Sequence, residues 1–308
     1  MSLKFVKNVI SDNLVRKQEV LVMELWYTEE WTDTVRFGIK VKEQLFSKKS
    51  SFQQIDIFDS VEFGKILTID GLMMANEKDE FIYHDMIVHP TMATNPNIKR
   101  VLVIGAGDGG TVRELTRYAN IEHIDMVEID EVVTRSCQEH MPLTASKLTD
   151  PRVNLIFDDG LKFAQDAKAG SYDLVIVDST DPISVGAGLF TTEFYTDCFR
   201  ILSEEGILVN QHESPYFETF AKEMGRAHSK ISKIFPIAEV YQAHIPTYPS
   251  GHWLFGFASK KLHPVKDIVA SNWNDLNIKT KYYNTDLHIG AFALPNYVKE
   301  MLKSAKGE

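Results

Sequence analysis

Residues 101–115 read VLVIGAGDGGTVREL: a short apolar run, a glycine-rich turn, and then the start of a helical pattern. Gly105, Gly107 and Gly110 satisfy GxGxxG between a strand and a helix, the place where a chain turns tightly under a nucleotide. By itself the motif equally fits a plain tight turn. The downstream chain adds to it. His123–Val127, Val153–Phe157 and Leu174–Val177 are further short apolar runs, separated by helical patterns at Thr111–Tyr118, Glu131–His140 and Leu161–Lys168. Strand and helix alternating at this spacing predict βαβ units around a buried, mostly parallel sheet with right-handed crossovers. Ile207–Asn210, a helix near Phe217–Lys233, and the pair Glu239–Ile245 and Trp253–Ala258 continue it, the last two as an antiparallel hairpin.

Upstream the pattern differs. Val35, Phe37, Ile39 and Val41 alternate with polar or small residues, and the runs at residues 55–58 and 65–69 are punctuated by turn residues, then by Asp70-Gly71. This predicts a small antiparallel sheet. Asn76 is a candidate N-cap for an amphipathic helix over Asp79–Thr91, with Pro90 fixing its end. The expected architecture is α/β: an N-terminal β-stranded domain over residues 1–76, and a methyltransferase-like Rossmann domain over residues 77–308. At roughly 150 residues per domain, 308 residues also predict two.

The formal charge is −10 in a chain that is 44% hydrophobic and 25% charged, which excludes disorder and argues against a nucleic-acid partner. Cys137 and Cys198 have neither CxxC spacing nor a companion His motif, so no zinc site, no disulfide framework and a reducing cytoplasm are expected. No signal peptide and no apolar run of about 18 residues is present, so no membrane association is expected.

Ligands of open α/β sheets bind beyond the carboxyl ends of the strands. Those positions hold Asp108 in the glycine loop, Glu128 after the second parallel strand, Asp158-Asp159-Gly160 after the third, and Asp178 and Asp181 after the fourth. Any one of these could serve as a helix cap or turn former. Asp108, Glu128, Asp159, Asp178 and Asp181 converging on one rim would repel unless a cation sits among them. Asp108 inside the loop would repel a pyrophosphate, so the loop favours a cationic sulfonium nucleoside over a dinucleotide. Asp178 and Asp181 suit one base and one cation anchor. A primary amine has a pKa near 10.4 and must lose a proton to attack a sulfonium carbon, at a cost of roughly 4.6 kcal/mol at pH 7. The leaving thioether is neutral, so this chemistry needs neither a metal nor a general acid. His84 and His89 lack HExxH spacing, and no metal ligand is assigned.

VLVIGAGDGGTVREL (101–115), MVEID (126–130), DDG (158–160), VDSTDP (177–182), EFIYHDM (80–86), FQQIDIF (52–58) and IPTYPSG (245–251) together resemble the polyamine aminopropyltransferases, most closely bacterial spermidine synthases. The resemblance implies transfer of an aminopropyl group from decarboxylated S-adenosylmethionine, a cosubstrate rather than a cofactor, to putrescine. It also implies a homodimer or homotetramer. Carried over by position, Gln53, Gly105, Gly107, Glu128, Asp159 and Gly160 bind the nucleoside, and Asp178 accepts the proton. Tyr83, His84, Asp108, Asp178, Asp181 and Tyr248 hold the diamine. Two departures stand out: Ala106 replaces a glycine of the family's usual GGGDGG loop, and where the family often reads DPxGP, Asp-Pro is here followed by Ile183-Ser184-Val185. Residues 183–190 carry Gly186-Ala187-Gly188 and are expected to close over substrate. Other acceptors (agmatine, cadaverine, spermidine), a methyltransferase, and a non-catalytic polyamine-binding protein remain open on the residues alone.

Overall fold

The computed structural model describes residues 24–180 and 185–306. Five strands, β1 (Leu25–Thr32), β2 (Val35–Lys49), β3 (Gln54–Ser60), β4 (Lys65–Ile69) and β5 (Leu72–Asn76), form one antiparallel sheet in chain order. Asp70 and Gly71 join β4 to β5 with φ of 50° and 85°, the left-handed conformation of a tight hairpin. β2 runs well past the alternating segment. It pairs with β1 through its first half and β3 through its second, and two register irregularities between Val41 and Phe46 break the alternation that would reveal it.

Helix α1 (Glu80–Thr94) comes next, and three expectations change here. Asn76 is not the cap: its side-chain oxygen receives the backbone N–H of Lys78 and Asp79, forming a turn before the helix. Pro90 does not end the helix, because the Met86 carbonyl that loses its donor accepts the Tyr241 hydroxyl at 2.7 Å. Nor is α1 amphipathic. Every residue but Phe81 is buried, since Ile55, Ile57 and Leu67 of the first sheet join Met86, Ile87, Val101 and Val103 in one continuous core.

The second sheet has seven strands: β6 (Arg100–Gly105), β7 (His123–Glu128), β8 (Val153–Phe157), β9 (Tyr172–Asp178), β10 (Leu202–Gln211), β11 (Ile237–His244) and β12 (His252–Ser259). Their order is β11-β12-β10-β9-β6-β7-β8. The five strands from β10 to β8 are parallel neighbours, and β12 and β11 close the sheet antiparallel. Along β6, Val101 and Val103 face the α1 side while Leu102 and Ile104 face a second core with Val127, Val175 and Tyr195. Such two-sided burial explains the unbroken apolar runs. Intervening helices are α2 (Gly110–Leu115), α3 (Glu131–His140), α4 (Pro142–Ala145), α5 (Gly160–Asp166), α6 (Thr192–Ile201) and α7 (Glu218–Ile234). Three more, α8 (Ala270–Asp275), α9 (Thr285–Ala291) and α10 (Asn296–Lys306), finish the chain; Val298 and Leu302 pack with Met224 of α7. Among the described residues, no helix is long and apolar enough to cross a membrane.

β7 and β8 lie to one side of β6, and β9 and β10 lie to the other, so the strand order reverses between β6 and β9. A cleft opens at such a switch point, beyond the strand ends.

Candidate active site

The cleft has a volume of about 560 Å³ and is lined from both sheets. Its floor is the glycine loop. Gly105 and Asp178 are register partners on β6 and β9, and Ala106 N–H donates to the Asp178 carbonyl at 2.8 Å. Gly105 has φ +87°, and a β-carbon there would lie 2.1 Å from that same carbonyl, so only glycine fits. At Gly110 a β-carbon would meet the His84 ring at 2.2 Å; the third glycine of the motif makes room for an imidazole. Ala106 adopts φ +60°, a left-handed conformation that costs a non-glycine residue roughly 1–2 kcal/mol.

One end of the cleft gathers Asp178, Asp108, Tyr83 and His84. Both Asp178 oxygens accept hydroxyl donors, from Tyr83 (Oδ1, 2.6 Å) and Thr111 (Oδ2, 2.6 Å). Packing around Asp178 and then the charge of Asp108 raise its pKa, with His84, Thr111 and Tyr83 pulling the other way. Burial and the Asp178 charge hold the Tyr83 phenol well above its ordinary value, so it stays a donor. The buried His84 ring lies between two carboxylates: Nδ1 is 2.5 Å from Glu80 Oε2, and Nε2 is 3.4 Å from Asp108 Oδ2. Burial alone would lower its pKa, but Asp108 and Glu80 outweigh it and drive the value well up. Tyr248 packs against Tyr83 and Trp253, and its hydroxyl donates to the Met74 carbonyl at 2.5 Å.

The other end is built on Glu128. Burial, together with the charges of Asp130 and Asp178, pushes its carboxyl up to about 7, against the backbone N–H of Asp130 that donates to Oε1 at 2.8 Å. Gly107 lies close by, where a β-carbon would come within 3.0 Å of Glu128 Oε2. Gln53, buried just before β3, donates to Asp130 Oδ2 at 3.1 Å and so joins the first sheet to the cap of α3. Asp159 is exposed, lines the cleft and caps α5 through Leu161 N–H at 2.8 Å, so the capping role applies to this carboxylate. Gly160 packs where a β-carbon would strike Ile104 at 2.5 Å.

Known proteins share this arrangement of sheets and cleft. Residues 80–267 match the family model described as spermine/spermidine synthase domain, and residues 25–77 match the one described as spermidine synthase tetramerisation domain. The chain belongs to the spermine/spermidine synthase family. It is 69% identical over 282 residues to a polyamine aminopropyltransferase of Clostridium perfringens, covering 92% of this chain and 99% of that one. It is 67% identical over 281 residues to one of Alkaliphilus oremlandii, covering 91% and 99%. Among solved structures, a spermidine synthase in complex with the transition state analogue AdoDATO superposes with a TM-score of 0.88 at 37% identity, covering 96% of this chain and 98% of that one. The Thermotoga maritima spermidine synthase gives 0.85 at 36% identity, covering 95% and 97%. The molecule is a polyamine aminopropyltransferase, a transferase with a Rossmann-like core and an N-terminal antiparallel sheet.

In this aminopropyltransferase, every residue expected at the site and described by the structure lines the cleft: Gln53, Tyr83, His84, Gly105, Gly107, Asp108, Glu128, Asp159, Gly160, Asp178 and Tyr248. Asp181 lies outside the described residues, as do residues 182–184; Val185–Phe190 form a 3₁₀ turn that contributes Gly186 and Leu189 to the lining. The sequence reading missed Thr111, Glu80, Asp130, Gln211 and Trp31. Of these, Glu80 left a signal: it stands four residues before His84, on the same helix face. Behind α1, Asp85, His89 and Glu114 lie close enough to share an ion. Arg113 and Arg117 already donate to the two Glu114 oxygens, and Trp273 donates to Tyr118, leaving the Tyr118 hydroxyl for His89 Nδ1 at 2.7 Å. These residues fit a charge-balanced core cluster better than a cation site.

Proposed function

We propose that this aminopropyltransferase is a spermidine synthase: it transfers the aminopropyl group of decarboxylated S-adenosylmethionine to putrescine, giving spermidine and 5′-methylthioadenosine. The observation that carries this reading is the pair of carboxylates in the cleft, Asp178 and Asp108, beside Tyr83 and His84, together with a third carboxylate, Glu128, in the same lining. The nucleoside's ribose hydroxyls donate to Glu128, Gln53 supports it, and Asp159 with Gly160 borders the adenine. Asp108, Asp181, Tyr83, His84 and Tyr248 hold the diamine.

The putrescine ammonium gives a proton to Asp178, and its freed lone pair forms a bond to the carbon next to the sulfonium. That carbon's bond to sulfur breaks, and its electrons leave on a neutral thioether, so the incoming nitrogen keeps the charge that sulfur loses. A raised Asp178 pKa narrows the gap between base and amine and so makes the direct proton transfer less uphill. This reading assigns residues 1–76 to the β-stranded domain and 77–308 to the catalytic domain, with residues 1–23 and 307–308 lying outside the described residues. The tetramerisation description of the family model for residues 25–77 and the edge position of β1, with Trp26 55% exposed, support assembly as a homodimer or homotetramer. The two buried free thiols fit a reducing cytoplasm.

The test is to incubate purified enzyme with decarboxylated S-adenosylmethionine and putrescine, cadaverine, agmatine or spermidine and follow methylthioadenosine. Putrescine is expected to give the largest kcat/KM. A larger value for another amine reassigns the acceptor, and no product with any amine overturns the reading.

A further inference from the structure

A line of charges runs back from the His84 wall of the cleft through Glu80 and the part-buried Arg113, neither of which lines it. Arg113 of α2 holds both oxygens of Glu80, with NH1 to Oε1 at 3.0 Å and NH2 to Oε2 at 2.9 Å. Glu80 in turn meets His84 Nδ1 at 2.5 Å. Arg113 is itself fixed from behind, by Glu114 Oε1 on its Nε at 2.9 Å and by the Leu143 carbonyl. Glu80, His84 and Asp108 are all at least nine-tenths buried. The His84 ring also packs directly on Gly110, where no β-carbon would fit. Apart from the His84 Nε2 contact at 3.4 Å, Asp108 Oδ2 has no further polar side-chain partner among the described residues.

We propose that Glu80 and Arg113 are positioning residues for the transfer reaction: the Arg113 fork fixes the Glu80 carboxylate, which orients His84 as an imidazolium toward Asp108 and presets the charge of the amine-binding wall. The inference rests on the aminopropyl-transfer reading. The groups facing His84 are Glu80 and Tyr83 on its own helix, Asp108 in the glycine loop, and Asp178 on β9; Arg113 acts through Glu80. Two anions at the amine end with no cation beside them would tend to capture a proton, and a protonated Asp178 accepts nothing. A fixed imidazolium favours the ionised form of Asp178 while leaving the Asp108 side chain to meet the substrate's ammonium. Burial in the absence of Arg113 would favour passing the His84 proton to Glu80, giving a neutral pair. That explains why a charge two residues removed from the substrate matters.

The experiment is nitrogen NMR of the full-length enzyme with ring-labelled histidines and no substrate, with His84→Asn used to assign the signal. Because no substrate is present, the result stands whichever amine is the acceptor. In the wild type both His84 ring nitrogens should remain protonated at pH 8, and in Glu80→Gln the ring should be neutral there. A neutral His84 in the wild type at pH 7, or a fully charged one in Glu80→Gln at pH 8, overturns the proposal. Kinetics give the second readout. Arg113→Met should move the acid limb of kcat/KM for the amine upward by roughly one pH unit, and Arg113→Lys, keeping the charge, should recover most of that shift. KM for the nucleoside should change less than about twofold in both variants. If Arg113→Met does not fold, Glu80→Gln decides the kinetics: an acid limb identical to the wild type's overturns the proposal.

Discussion

Asp178 and Glu128 are both raised by burial and by neighbouring anions, but different counter-groups hold them. At the nucleoside end backbone N–H donation is what stands against burial and the charges of Asp130 and Asp178, and the Glu128 carboxyl rises to about 7. At the amine end Asp178 and Asp108 face each other, yet two hydroxyls and the His84 cation stand against the same penalties. The difference is one of counter-charge. A group that only has to receive hydroxyl donors can wait half-protonated for its ligand. A group that has to take a proton from an ammonium must be ionised beforehand, and a network reaching back to Arg113 maintains that state.

Four variants break or sharpen this contrast. The largest effect is expected from Asp178→Asn, which removes the base and should lower kcat by about two to four orders of magnitude at pH 7 in the methylthioadenosine assay. Glu128→Gln should act on the other end only. It should raise KM for the nucleoside by roughly ten- to a hundredfold with little change in amine dependence, since a hydrogen bond to a charged group contributes about 1.5–3 kcal/mol. The same variant carries a stability prediction of defined sign. Glu128 is raised in the folded state, so its ionisation costs stability, and that cost appears as pH rises from 4.5 through about 7. Glu128→Gln should therefore make the ligand-free enzyme more stable at pH 8, by up to about 3 kcal/mol, and leave it unchanged at pH 4. Thermal melts at both pH values check this.

Tyr83→Phe takes one of the two hydroxyls from Asp178. It should raise the Asp178 pKa further and lower kcat by up to about tenfold on the acid side of the profile, the defect shrinking as pH rises. The smallest effect belongs to the floor shared by both ends. Ala106→Gly relieves the left-handed φ of +60° and should stabilise the enzyme by about 0.5–1 kcal/mol without changing either KM, as denaturant midpoints would record.

How much of this was legible in the sequence differs between the same two ends. Residues set at strand ends could be read directly: VLVI and LVIV are buried on both faces, so β6 and β9 and the acids beyond them followed from apolar runs alone. α1 could not be read that way. Its burial on all sides comes from the first sheet closing over it, and Pro90 reads as a terminus unless the Tyr241 hydroxyl, 155 residues beyond Met86, is known to replace the lost donor. Thr111 and Arg113 sit in an ordinary short helix, and only the fold turns one toward Asp178 and the other toward Glu80. Asp159 shows the converse, a carboxylate at a predicted site position whose side chain is engaged in capping α5.

The assignment of Asp178 as proton acceptor is tested most directly by single-turnover methylthioadenosine formation in wild type and Asp178→Asn from pH 7 to pH 10. A missing base is replaced by solvent as the amine, with a pKa near 10.4, deprotonates by itself, so the variant's rate should climb roughly tenfold per pH unit and the gap should close. A gap that stays constant across that range would mean that Asp178 shapes the site without taking the proton.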